Sequence, residues 1–172
     1  LDVADELSGR GLERGGPGAV TEFRRRGGGV LLVAGPTAEP SVLAEMLDAG
    51  ETRAITGAAE PQPVAISDLR PPLFASLGPL GGALGSARVP RSMFVEAENA
   101  LVLARFTSGA PVLLERPRTG AEGRTLALTT DAANAWNDLA LHPAFVPLVH
   151  EMMAHLDGRP GLAREYAIGD PG

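Results

Sequence analysis

The chain contains no cysteine and no lysine. Without cysteine there can be no disulfide, no thiolate nucleophile and no thiolate-bound zinc. All fifteen basic residues are arginine, which excludes a Walker A phosphate loop, a Schiff-base lysine and a Ser–Lys dyad together. Aromatic residues are only 4%, so the core must be built from Leu, Val, Ala and Met. Positive charge is also scarce: the net charge is −6 and the pI near 5.1. That balance gives no counterion-release drive toward nucleic acid, and the run Arg24, Arg25, Arg26 is too short to reverse it. Long apolar runs are missing as well. The longest, VLLVA at 30–34, is far below the roughly 20 residues of a membrane helix. No charged segment followed by an apolar stretch marks a secretion signal. The first residue is Leu rather than Met, which reads as a soluble piece of a longer or processed protein.

What remains is an ordinary globular composition. At 172 residues with 44% hydrophobic content, the chain is long enough for one domain with a real core. We expect that domain over residues 1–158, with 159–172 as a tail or the start of a following module. Gly and Pro make up about a fifth of the chain, against about 12% on average, so loops should be many and elements short.

The periodicity predicts an α/β order. Residues 1–7 suit a strand slightly better than a helix, and 12–18 suit a loop. Residues 19–26 (AVTEFRRR) read as a helix with Val20 and Phe23 on one face, arginines at its negative end, and Gly27, Gly28 and Gly29 as its stop. A phosphate-cradling glycine loop follows a strand and precedes a helix; this one does the reverse. VLLVA at 30–34 is apolar on both faces, the pattern of a central strand in a parallel sheet. Residues 40–49 follow as a helix with Val42, Leu43, Met46 and Leu47 on one stripe and Gly50 as cap. A short strand is expected at 64–66, a short helix or turn at 71–77, and a flexible glycine-rich loop at 78–85. Segments 89–95, 101–106, 111–115 and 124–130 read as successive strands whose short links favour antiparallel pairing. The last helix starts close to Phe145, with Leu148, Val149, Met152 and Leu156 on its apolar stripe.

Few of the reactive side chains stand in a catalytic pattern. His150 and His155 lie five residues apart, about 140° around a helix, whereas zinc needs histidines one turn apart. His150 should face solvent and His155 the edge of the buried stripe. Ser76, Ser86, Ser92 and Ser108 lack the G-x-S-x-G frame of a nucleophile elbow, and Ser41 reads as a helix-capping residue. Glu96, Glu98, Asp2, Asp5 and Glu6 read as solvated carboxylates. No catalytic residue, metal ligand or cofactor motif is therefore assigned. The one place to look for a ligand is the loop 131–138. It leaves the C-terminal end of a strand, where open α/β sheets place their sites. It carries Asp131, Asn134, Asn137 and Asp138 around Trp136, the only tryptophan. The competing reading is structural: Trp136 as an anchor under the last helix, with the polar residues holding the loop.

Three blocks carry a family resemblance: FRRRGGGVLLVAG (23–35), APVLLERPRTGAEGRTLALTTD (110–131) and WNDLALHPAFVPLVHEMMAHL (136–156). Together they resemble the class I glutamine amidotransferase-like fold. The chain is most similar to the non-catalytic versions found in bacterial membrane proteins with BatA-like N-termini and von Willebrand factor A modules, and is similar also to ThuA-like proteins. The resemblance implies a flavodoxin-like three-layer sandwich with a mostly parallel central sheet and an antiparallel extension. It implies one module of a membrane-anchored bacterial protein, whose partners are other domains of its parent or another protein. Active members of the family carry a cysteine nucleophile activated by a His–Glu pair. Here there is no cysteine, and His142–Pro143, which resembles the family's His-Pro-Glu, is followed by Ala144. The expected function is therefore protein interaction or domain positioning, without glutamine hydrolysis. The ThuA-like alternative is a sugar-binding protein or enzyme using the loop 131–138, with Trp136 partly exposed.

Overall fold

The computed structural model describes residues 16–50, 52–56, 64–65, 72–75, 77–96 and 98–158. The expectations for 1–15 and for the tail 159–172 lie outside them. Helix α1 (Gly16–Arg25) ends in a Schellman motif. Gly28 N–H donates to Phe23 O at 3.1 Å and Gly27 N–H to Arg24 O at 2.9 Å. Gly27 sits at φ +91°, a conformation that glycine adopts without steric cost. The chain then enters β1 (Val30–Val33) and passes to α2 (Pro40–Leu47), whose stripe buries Leu43, Met46 and Leu47. Strands β2 (Thr52–Thr56) and β3 (Val64–Ala65) follow, then a short helix α3 (Pro72–Ala75) and a 3-10 segment, Gly78–Ser86. Strands β4 (Arg91–Val95), β5 (Leu101–Phe106), β6 (Pro111–Arg116) and β7 (Thr125–Leu128) come next. A 3-10 turn (Leu139–Leu141) leads into α4 (Phe145–Leu156).

Five described strands form one sheet in the order β1-β7-β6-β5-β3, and β2 pairs with β4 in a second sheet. Period-two alternation sorts the strand residues onto two faces. Leu113, Leu126 and Leu128 join the core under α3 and α4, with Phe74, Leu148, Met152 and Leu156. Leu114 and Ala127 point the other way, into a cluster with Leu43 and Leu47 of α2, Met93 and Val95 of β4, and Trp136. Leu126 and Leu128 are at most 2% exposed; such burial contributes about 2 kcal/mol per side chain, and Leu126→Ala would cost about 3 kcal/mol.

The α/β class stands, but four details differ from the sequence expectation. Only β1 and β7 pair in parallel; β7–β6, β6–β5 and β5–β3 are antiparallel. The sheet is therefore not mostly parallel among the described strands. The physical reason is connection length: β5, β6 and β7 follow one another through links too short for a parallel crossover. Second, β1 is an end strand among those described, not a central one. Its apolar run is covered only in part, with Val30 buried, Leu31 and Leu32 half-buried and Val33 37% exposed, and it says nothing about lateral neighbours. Third, α2 is capped by Asp48 at φ +56° rather than by Gly50; aspartate tolerates this left-handed conformation. Fourth, 78–86 is an ordered 3-10 segment, where Leu84 is buried with its neighbours Leu77 and Ala87.

Candidate functional site

Beyond the C-terminal ends of the parallel pair β1–β7 the chain turns through residues 129–138. Two threonines fasten the turn. Thr129 Oγ1 donates to Pro111 O at 2.8 Å and Thr130 Oγ1 to Arg91 O at 3.0 Å. Met93 N–H of β4 donates to Thr129 O at 2.6 Å, which ties the second sheet to the first. Asp131 then organises everything that follows. Its carboxylate accepts from the backbone N–H groups of Ala133 (3.2 Å), Ala135 (2.6 Å) and Trp136 (2.9 Å), and from the side-chain amide of Asn137. A carboxylate with this many donors forms an anionic hub that holds the loop closed.

Asn137 completes the network. Its Nδ2 donates to Thr130 Oγ1 at 2.8 Å and Asp131 O at 2.7 Å, while its Oδ1 accepts from Leu139 N–H at 2.7 Å. Asn134 is exposed with φ +63°, the loop's tight corner. Trp136 is 6% exposed and packs against Leu43, Leu47 and Met93. Of the four candidate ligand residues, the structure therefore brings Asp131, Trp136 and Asn137 together inside the protein and leaves Asn134 outside. A sugar-stacking role asks for an open indole face, and Trp136 has none.

A second cluster joins this loop to the 3-10 segment 78–86. His142 Nε2 lies 3.2 Å from Asp138 Oδ1, and His142 Nδ1 lies 3.3 Å from Ser86 Oγ. A serine, a histidine and an aspartate are thus in line, although Ser86 has no nucleophile-elbow frame in the sequence. The hydroxyl proton, however, is directed elsewhere: Ser86 Oγ donates to Ala83 O at 2.7 Å. Asp138 and Arg88 bond reciprocally, Arg88 N–H to Asp138 Oδ1 at 2.6 Å and Asp138 N–H to Arg88 O at 3.2 Å. Partial burial pushes the Asp138 carboxyl pKa upward, but the Arg88 amide and the His142 ring together outweigh it and hold the pKa below the ordinary carboxylate value. The cluster staples two segments together. The i, i+4 spacing of Asp138 and His142 was its only sequence signal.

A third cluster lies at the opposite end of the sheet. Glu115 of β6 is buried and faces α4. Its Oε1 is 3.3 Å from Arg124 Nη1 and its Oε2 is 3.1 Å from His155 Nε2; Arg124 also contacts that ring nitrogen. Nearby Arg24, read from the sequence as one of the arginines at the negative end of α1, is buried and paired with Glu122 at 2.7 Å. His150 is exposed, so the two histidines of α4 diverge. Glu96 and Glu98 are exposed, while Asp2, Asp5 and Glu6 lie outside the described residues. Among the described residues no group of three or more His, Asp or Glu is arranged to hold a metal ion, and no helix is long and apolar enough to cross a membrane.

No protein-family model matches the chain, and no curated protein matches it. Among solved structures it is similar to Cytoplasmic Protein STM3548 from Salmonella typhimurium, with a TM-score of 0.62 and 15% identity, covering 81% of this chain and 59% of that one. It is also similar to Cytoplasmic Protein STM1381 from Salmonella typhimurium LT2, with a TM-score of 0.52 and 14% identity, covering 83% and 58%. The chain thus spans less than two thirds of either neighbour, and at these identities the likeness is one of fold alone.

Proposed function

We propose that this chain is a non-catalytic module of the glutamine amidotransferase-like kind, with that family's flavodoxin-like sandwich. In this reading it belongs to a larger membrane-anchored bacterial protein and acts in protein interaction or in positioning neighbouring domains. One observation carries the reading: the position where an open α/β sheet exposes its reactive groups is filled by the protein's own loop. Asp131 spends its acceptors on Ala133, Ala135, Trp136 and Asn137, and Trp136 closes the space beneath. The absence of any cysteine supports the same reading, because this chemistry needs a thiolate. The test is ammonia release from glutamine, followed with purified chain against a buffer blank. The expected result is no release above the blank at any protein concentration. Release proportional to protein would overturn the proposal.

A further inference from the structure

The cluster of Glu115, Arg124 and His155 leaves one atom overcommitted. Nε2 of His155 lies 2.5 Å from Arg124 Nη1 and 3.1 Å from Glu115 Oε2. A guanidinium can only donate, and an ionised carboxylate can only accept. One ring nitrogen cannot serve both. Bonded to Arg124 it must offer a lone pair; bonded to Glu115 it must carry a proton. The shorter contact decides the state seen here: Arg124 donates to an unprotonated Nε2, and the neutral ring keeps its proton on Nδ1. Arg124 reaches Glu115 Oε1 at only 3.3 Å, longer than a charge-assisted hydrogen bond of about 2.8 Å. The ring is therefore the closer anchor of the guanidinium.

A proton on Nε2 reverses that choice. It sets two cations 2.5 Å apart and gives Glu115 Oε2 a charged donor. The side chain of Arg124 is 25% exposed, that of His155 16% and that of Glu115 8%, so Arg124 is the member with a way out to water. Other charged groups stand on the elements packed around the ring. Glu122, in the link before β7, is paired with Arg24 of α1 at 2.7 Å and has Arg116 of β6 at 3.9 Å. On α4 itself, Glu151 lies one turn before His155, and His150 is exposed. Asp157 follows the helix and, with Arg118, lines a groove of about 650 Å³ that also takes in Phe23 and Met153.

We infer that His155 is a proton-operated latch on Arg124: the neutral ring holds the guanidinium inside, and the protonated ring takes Glu115 and releases Arg124 to the surface. The inference goes beyond the interaction reading above and does not depend on it. Imidazole is the side chain that ordinarily changes charge between about pH 5 and pH 8, so this end of the sheet gains positive surface charge on acidification. The test is nitrogen and carbon NMR of the whole isotope-labelled chain at pH 8 and pH 5. At pH 8 the imidazole nitrogens of His155 should report a proton on Nδ1 and none on Nε2. At pH 5 both should be protonated. Broadening of the Arg124 Cζ signal by a neutral paramagnetic chelate, measured against exposed Arg25, should then rise about threefold as the side chain leaves its largely buried position. His155→Gln supplies an amide oxygen that accepts from Arg124 and does not titrate, so Arg124 should stay shielded at both pH values; unchanged Trp136 emission would show that the variant folds. A proton on Nε2 at pH 8, a ring still neutral at pH 5, or an Arg124 still shielded beside a protonated ring each overturns the inference, whether or not the variant folds. His155→Gln keeps Glu115, Glu122, Glu151 and Asp157, so a release of Arg124 that persists in it belongs to those carboxyls and also overturns the inference. Ammonia release from glutamine would strike the functional reading and leave the latch to stand or fall separately.

Discussion

The two ends of the β1–β7 pair are built on opposite plans. At the C-terminal end the Asp131 carboxylate and the Asn137 amide bond to each other and to backbone groups of the loop, and the Trp136 indole is buried beneath them, so the loop after β7 is sealed. At the N-terminal end three glycines bring backbone segments together and leave Phe23, Met153 and Arg118 facing a groove. The difference is one of where the polar groups find partners. Asp131 finds four donors within six residues of itself. Glu115 must recruit Arg124 from the link before β7 and His155 from α4, and among the described residues Arg118 finds a backbone carbonyl and no carboxylate. Local satisfaction closes an end, and long-range or missing satisfaction leaves one open.

Substituting Asp131→Ala should break this contrast most sharply. It strands the Trp136 N–H in a buried position, takes one acceptor from the buried Asn137 side-chain amide and frees the amides of Ala133 and Ala135 at exposed residues, which should cost about 3 kcal/mol. Urea denaturation followed by Trp136 emission would read it, with the folded-state spectrum shifting to the red as the indole meets water. Glu115→Ala comes next, leaving Arg124 and His155 without their shared anion. Because Arg124 is 25% exposed at its side chain, the loss should be nearer 2 kcal/mol than the 3–5 kcal/mol of a fully buried pair. Glu115→Gln should lose less, since an amide oxygen still accepts from Arg124. Equal losses for Ala and Gln would remove the charge from the account.

The Asp138 staple should respond to acid. Its folded-state pKa lies below the unfolded value of about 3.9, so the unfolded chain takes up the proton first. Its stabilising contribution is therefore complete above that unfolded value and disappears as pH falls through the folded pKa. Denaturation midpoints at pH 7 and pH 3 should separate more in the parent than in Asp138→Asn; an identical separation would show that the carboxylate does not sense acid here. Met153→Ser should have the smallest effect, within about 0.5 kcal/mol, because its side chain is already largely in water. A large loss would mean that the groove is a structural seam rather than a free surface.

Legibility in the sequence follows the range of the interaction. Residues 101–106 and 145–156 are bounded in the structure as their periods predict, since alternation and the 3.6-residue stripe are local properties. The stripe Leu148, Met152 and Leu156 is buried as read, but Glu151 is buried beside it, which no hydropathy pattern announces. Residues 131–138 were legible as the place where polar groups gather around Trp136. That they face inward was not, because facing depends on α2 and β4 packing over the indole. Ser86 and His142, and likewise Glu115 and His155, are 56 and 40 residues apart; spacing carries no trace of such meetings.

The sequence by itself determined the α/β class, the excluded thiolate and lysine chemistries, the helix stop at Gly27 and the antiparallel run of β5, β6 and β7. These follow from composition, from short-range periodicity and from connection lengths, all of which act within a few residues. Only the tertiary structure decided that β1 lies at the end of the described sheet, that Asp131 is consumed by its own loop, and that Phe23 and Met153 share a groove. Each of these depends on which distant surface arrives opposite a residue, and burial and pairing across the chain are set by packing.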